Sequence, residues 1–207
     1  MTPPDLIVIT DDALSDDETE HRAERILAEV PAGSTALQLR DRRRTARALW
    51  GLAERLRSVC TRHGAPLIVN DRIDLARAID ADGVHLGRRS VAIEDARRLL
   101  DGGAFISVAA HDVAEVEAAA LAGATAALVS PIYATPDKGA PRGVQFVSEA
   151  RAHAGQVLVY ALGGIDAVRA AECVRAGAHG VAAIRSVWAA DAATASAIVA
   201  SVRACRR

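Results

Sequence analysis

Eight short apolar runs, recurring about every 25 residues and separated by stretches of helical length, constrain this chain more than any other feature. The runs fall at residues 6–10, 35–40, 66–70, 83–86, 105–109, 126–129, 157–162 and 180–184. Helical patterns occupy 16–29, 46–62, 73–79, 93–100, 113–122, 144–153, 167–176 and 189–204. The runs are unbroken rather than alternating, as in Leu6-Ile7-Val8-Ile9. Unbroken apolar strands are buried on both faces, and strands that alternate with helices pair in parallel. Eight such units are the number that closes a barrel. An open doubly wound sheet would need Gly-x-Gly-x-x-Gly after its first strand, where this chain has Thr10-Asp11-Asp12. The expected architecture is an α/β (β/α)8 TIM barrel, one domain over residues 1–207.

Composition narrows the partners. Apolar residues make up 51% of the chain and aromatic ones 3%, so the core must be built from Ala, Leu, Val and Ile. With 25 basic and 26 acidic residues, no net field favours nucleic acid or an anionic membrane. Arg42-Arg43-Arg44 and the Arg206-Arg207 tail read as solvated faces. Cys60, Cys173 and Cys205 show neither metal nor redox spacing and read as thiols of a reducing compartment. No apolar stretch is long enough to span a bilayer and no leader pattern opens the chain, so the expectation is a cytoplasmic protein acting on small molecules. Nothing in the sequence speaks to oligomeric state.

In barrels of this kind the chemistry collects where strands exit at their C-terminal ends. Thr10 and Asp11 close the first strand. Period-two alternation puts Gln38 and Arg40 on one face of the second. The third ends in Asn70-Asp71, and Asn70 is the only asparagine. The fourth carries Asp82-Gly83-Val84-His85-Leu86-Gly87. The sixth leads into a loop with Pro131, Pro136, Pro141, Gly139 and Gly143, and this loop holds Lys138, the only lysine among the 25 basic residues. Long ordered loops tend to bind or cover ligands, and a lysine here suits a site that wants a compact ammonium. Each residue also has a plain structural use. Gln38 fills an interior polar layer, Arg40 pairs with Asp41, Asn70-Asp71 cap the next helix, His85 is a satisfied core histidine, and Lys138 is a solvated charge. The seventh exit, Leu162-Gly163-Gly164-Ile165-Asp166, and the eighth, Ile184-Arg185-Ser186, would offer backbone N–H groups to a phosphate at a helix start, with Arg185 and Ser186 adding contacts. Tight turns without a ligand are the alternative.

Six markers in order are Ile9-Thr10-Asp11, Gln38-Leu39-Arg40, Val69-Asn70-Asp71, Asp82 to Gly87, Pro131-Ile132-Tyr133-Ala134-Thr135 with Lys138, and Ala161-Leu162-Gly163-Gly164-Ile165. Across nearly the whole chain they resemble the thiamine phosphate synthase family, which includes a thiazole tautomerase branch. The resemblance implies coupling of hydroxymethylpyrimidine diphosphate to thiazole phosphate, with pyrophosphate released. It implies that Gln38, Arg40, Arg42 and Asn70 hold the pyrimidine diphosphate, with Arg42 where lysine is usual. It makes Asp71 a Mg2+ ligand and Lys138 and Arg40 the groups that neutralise the departing pyrophosphate. Thr135, Gly163, Gly164, Ile184 and Arg185 would surround the thiazole phosphate. Ser90 stands where a second magnesium-binding aspartate is usual, Ala109 where a substrate-contacting serine is usual, and Ile7 replaces a common tyrosine. Ser90 and Ala109 point toward a tautomerase-like isomerase or a non-catalytic thiazole-phosphate-binding protein, whereas Asp71, Lys138 and Arg40 favour the synthase, which is the expected function. Against the isomerase, Pro131 occupies the position of that branch's catalytic histidine.

Overall fold

The unbroken apolar runs become parallel strands that close on themselves. A computed structural model describes residues 2–100, 102–136, 139–189 and 192–206. Its strands are β1 (Leu6–Ile9), β2 (Thr35–Leu39), β3 (Leu67–Asn70), β4 (Gly83–Leu86), β5 (Phe105–Ala110), β6 (Ala126–Val129), β7 (Leu158–Leu162) and β8 (Gly180–Ala183). Between them run α1 (Asp16–Ala28), α2 (Ala46–His63), α3 (Ile73–Ala78), α4 (Ile93–Leu99), α5 (Val113–Leu121), α6 (Gln145–His153) and α7 (Ala167–Arg175), with α8 (Arg185–Trp188) and α9 (Ala193–Arg206) after β8. Each strand pairs with its sequence neighbour, and β8 returns to β1, so the sheet is the closed (β/α)8 barrel expected.

Alternation along each strand sorts the core into two layers. Leu6, Val8, Leu37 and Leu39 face outward and pack with the helices, whereas Ile7, Ile9, Ala36, Ile68, Phe105, Leu128 and Tyr160 fill the barrel. Small inward residues make room for the two rings: an added Cβ on Gly180 would lie 2.9 Å from Tyr160 Cε1. The Phe105 and Tyr160 rings meet edge to face at 6.5 Å, a preferred aromatic geometry. Four helices begin on side-chain caps, namely Ser15, Thr45, Asp112 and Asp166.

Boundaries of the eight strands and the first seven helices coincide with expectation or differ from it by one residue. The exception is the last helical stretch, expected over 189–204 and found as the separate α8 and α9. Trp188 explains the break. Its ring is buried and its Nε1 donates to the Ile9 carbonyl at 2.6 Å, so α8 is pinned at the exit of β1. At the opposite end of the barrel Asp5 accepts from Arg203 Nε at 2.7 Å and Arg206 Nη1 at 2.6 Å, tying the segment before β1 to α9. Among the described residues no helix is long and apolar enough to cross a membrane.

Candidate active site

The mouth of the barrel divides into two chemically different arcs. Over β2–β5 the inward polar residues toward the exits are Gln38, Asn70, His85 and Ser107, with Ala109 beyond Ser107 at the exit of β5. Asn70 lies in register with His85, and His85 with Ser107. Gln38 Nε2 donates to Asn70 Oδ1 at 3.4 Å, while the buried Gln38 Oε1 has no hydrogen-bond partner. A buried amide oxygen without a protein donor can take one from an ordered water or from a ligand. His85 is buried, with Nδ1 3.0 Å from Ser107 Oγ.

Arg40 follows at the rim, half-buried. Its backbone is locked to Thr10, whose hydroxyl donates to the Arg40 carbonyl and accepts from the Arg40 N–H, both at 2.8 Å. Burial and then the charge of Arg42 lower the guanidinium's pKa, while Asp12, Asp71 and Asp41 act the other way. Arginine stays protonated under such pressure, so Arg40 is a cation with part of its hydration removed. The surface pair expected with Asp41 does not form; Asp41 accepts from the backbone N–H groups of Arg43 and Arg44 and pairs with the Arg44 guanidinium.

Asp71 does not cap the helix after it. The α3 cap position is Arg72, without a side-chain bond, and Asp71 instead sits exposed at φ +60°. Its carboxylate reaches across to the exit of β4: Oδ1 accepts from the Gly87 N–H at 3.2 Å and from the Ser90 hydroxyl, and Oδ2 accepts from Asn70 Nδ2 at 2.7 Å. Ser90 thus holds Asp71 where the resemblance leads one to expect a second carboxylate. Of the two arginines beside it, Arg88 is turned away into a 2.6 Å pair with Glu115.

The opposite arc, β6–β8, is built mainly from backbone and apolar side chains. The loop after β6 is fastened at both ends. Arg142 and Gly143 donate to the carbonyls of Pro131 and Ile132, and Ile132 and Tyr133 donate to those of Leu162 and Gly163. Tyr133 Oη donates to Glu172 on α7 at 2.5 Å, and the Arg169 guanidinium lies 4.8 Å over the Tyr133 ring. Arg142 Nη1 reaches the His111 carbonyl at 2.6 Å. Lys138 falls outside the described residues.

Beneath this loop lies a cavity of about 430 Å3. Thr135, Gly163, Gly164, Ile184 and Arg185, drawn from three separate stretches of sequence, all line it, together with Ser186 and Asp11. Thr135 Oγ1 is buried without a hydrogen-bond partner. The first N–H groups of α8 have no partner inside that helix. The five residues expected to surround a phosphate are therefore brought together, while Gln38, Arg40, Asn70 and Asp71 are gathered across the mouth.

The sequence profile of the thiamine monophosphate synthase family matches residues 6–187. The chain belongs to that family. The thiamine-phosphate synthase of Chloroflexus aurantiacus is 42% identical over 195 residues, covering 93% of this chain and 88% of the relative. That of Methanoculleus marisnigri is 39% identical over 186 residues, covering 88% and 87%. Among solved structures, thiamine phosphate pyrophosphorylase from Pyrococcus furiosus superposes with a TM-score of 0.84 at 26% identity, over 97% of this chain and 96% of that one. In this member of the thiamine monophosphate synthase family, sequence reasoning located both arcs but missed their supports. Tyr133–Glu172 and Arg142–His111 join residues 39 and 31 positions apart, and no local pattern announces either bond.

Proposed function

We propose that the protein is a thiamine-phosphate synthase. It joins hydroxymethylpyrimidine diphosphate to thiazole phosphate and releases pyrophosphate. The observation that carries this reading is the pairing of two polar sites across one mouth, each holding a buried side-chain oxygen with no protein partner: Gln38 Oε1 on one arc and Thr135 Oγ1 on the other. One arc suits an aminopyrimidine with an attached diphosphate, and the other suits a phosphate among backbone amides. Relatives named for the same reaction, at about 40% identity over most of the chain, support it.

In this reading Gln38 Oε1 accepts from the pyrimidine amino group, and Asn70 steadies Gln38 through its amide. Arg40 and Arg42 face the diphosphate. The bond between the pyrimidine methylene carbon and the diphosphate oxygen breaks, and the electron pair leaves with pyrophosphate. The thiazole nitrogen then donates its lone pair to the methylene carbon. Arg40, partly desolvated, and Lys138 on the loop stabilise the charge that gathers on the leaving group; such preorganised charges act most strongly where water is excluded. Thr135, Gly163, Gly164, Ile184 and Arg185 hold the thiazole phosphate so that its ring nitrogen faces the methylene, which is where orientation lowers the barrier.

Asp71 would hold Mg2+ together with the diphosphate. Magnesium takes one or two carboxylates alongside substrate phosphates and keeps several waters, and Asp71, exposed and fixed by Gly87 and Ser90, fits that demand. When bound, the ion supplies positive charge to the diphosphate oxygens. The free thiols fit a reducing, cytoplasmic setting.

The test is direct: purified protein, both substrates and magnesium, with pyrophosphate release measured. Release that requires both substrates supports the synthase. No release at any magnesium concentration would turn the reading toward the tautomerase-like isomerase.

A further inference from the structure

The rungs that join β1 to β8 can be counted toward the mouth. Leu6 lies in register with Val181 and Val8 with Ala183, and the Val181 N–H donates to the Asp5 carbonyl at 3.1 Å. Rungs of a parallel pair are evenly spaced, two residues apart on each strand. The Ala183 N–H therefore falls to Ile7, and the next rung in the series would join the Arg185 N–H to the Ile9 carbonyl. That rung is not made. Ile184 leaves the strand at φ −122° and ψ −96°, and the indole Nε1 of Trp188 takes the Ile9 carbonyl instead, at 2.6 Å. Among the described residues no backbone carbonyl accepts from the Arg185 N–H.

The substitution is firmly built. The Trp188 ring is buried, and Arg22 of α1 donates to the Trp188 carbonyl, so the residue is held from β1 and from α1. An indole nitrogen donates and does not accept, which suits it to a carbonyl that the sheet leaves over. The released amide lies in Ile184-Arg185-Ser186, and all three residues line the cavity of about 430 Å3. Thr135, whose buried Oγ1 has no protein partner, lines the same cavity.

We propose that Trp188 is a positioning residue for the phosphate arc: its indole replaces the Arg185 amide on the last rung of the barrel and so keeps that amide available to an anion. In the synthase reading, on which this proposal rests, the anion is thiazole phosphate. Trp188 acts through Arg185 rather than on the substrate. Without the indole N–H, the carbonyl of buried Ile9 loses its donor, which is destabilising. The donor that the register assigns to it is the Arg185 amide, so the segment is drawn back toward the sheet and the cavity loses a contact. The arc over β2–β5 takes no part in this exchange.

The test places benzothienylalanine at position 188 of the full chain, which keeps the shape of the ring and sets sulfur where the N–H was. Trp188→Phe is the second variant. Calorimetry should show affinity for thiazole phosphate weakened about five- to tenfold in both, the scale of one net hydrogen bond. Affinity for hydroxymethylpyrimidine diphosphate should be unchanged, and in turnover the KM for thiazole phosphate should rise while kcat holds. Amide hydrogen exchange reads the swap itself. The Arg185 amide should exchange quickly in the free wild type and be protected by thiazole phosphate; in the benzothienylalanine protein it should be protected before any ligand is added. An Arg185 amide that exchanges alike in the two free proteins overturns the proposal. So does unchanged affinity for thiazole phosphate, or an equal loss for both ligands, since that is general loosening. If wild type binds no thiazole phosphate, the synthase reading and this proposal fall together. If wild type releases pyrophosphate and the variants bind thiazole phosphate as it does, this proposal falls alone.

Discussion

Gly164 leaves no room for a side chain. A Cβ there would lie 2.9 Å from Tyr133 Cβ and 3.1 Å from the Ala134 carbonyl oxygen, on a backbone already at φ +65°. Gly164→Ala should push the loop off the cavity, lower stability by about 1 kcal/mol or more, and weaken thiazole phosphate binding at least about tenfold by calorimetry, the loss of about one charge-assisted contact. Unchanged affinity would place the phosphate elsewhere. Ser90 is the mirror case, a side chain that is present and telling. Ser90→Asp sets a second carboxylate against Asp71, so the melting temperature should fall in chelator and recover with magnesium, and pyrophosphate release should saturate at lower magnesium. If neither curve responds, magnesium does not visit this pair. Lys138→Ala should leave the melting temperature unchanged and cut turnover by about one to three orders of magnitude; full turnover in that mutant would remove Lys138 from the chemistry.

At the scale of elements, the described ends of the loop after β6 are bonded to the β7–α7 turn. Backbone bonds join the two, and the Tyr133 hydroxyl anchors the loop to Glu172. Burial, then the Glu172 carboxylate, raises the Tyr133 pKa, so the phenol remains a donor at physiological pH. Tyr133→Phe should cost about 1.5–3 kcal/mol in denaturant unfolding, the range for a hydrogen bond to a charged group. It should also raise the KM for thiazole phosphate more than that for the pyrimidine substrate; an equal rise would mean the anchor serves stability alone. The strands behind this arrangement were legible because burial on both faces leaves a continuous apolar word such as Ala126–Val129. The exit positions were legible because barrel chemistry has a fixed address, and Asn70 stood out as the one asparagine in the chain. The break between α8 and α9 was not, since residues 189–204 contain neither proline nor glycine and the cause is a distant contact of Trp188. The orientation of Asp71 was hidden for the same reason: Asn-Asp before a helix is a good cap by local rules, and only Gly87 and Ser90, 16 and 19 residues on, draw it away.

Across the whole molecule, closure shields two of the three thiols. Burial raises Cys60 to about 12 and Cys173 to about 11, whereas Cys205 on α9 is only partly covered. The thiolate is the reactive form, so a thiol reagent at pH 8 should label Cys205 alone in the native protein and all three after denaturation. Rapid native labelling of Cys60 or Cys173 would show that α2 or α7 lifts from the sheet. Closure also fixes the two arcs of the mouth relative to one another, and they are made of different material. One is written in side chains, Gln38, Arg40, Asn70, His85, and the other largely in main chain around Gly163, Gly164 and Ile184. An engineer who wishes to change the ring that is alkylated and one who wishes to change the group that is transferred therefore face unequal tasks. In the proposed assignment, the transferred group can be redrawn by single codon changes on β2–β5. The phosphate handle of its acceptor can be altered only by rebuilding a backbone, and libraries aimed at new pyrimidines can leave that half of the gene untouched.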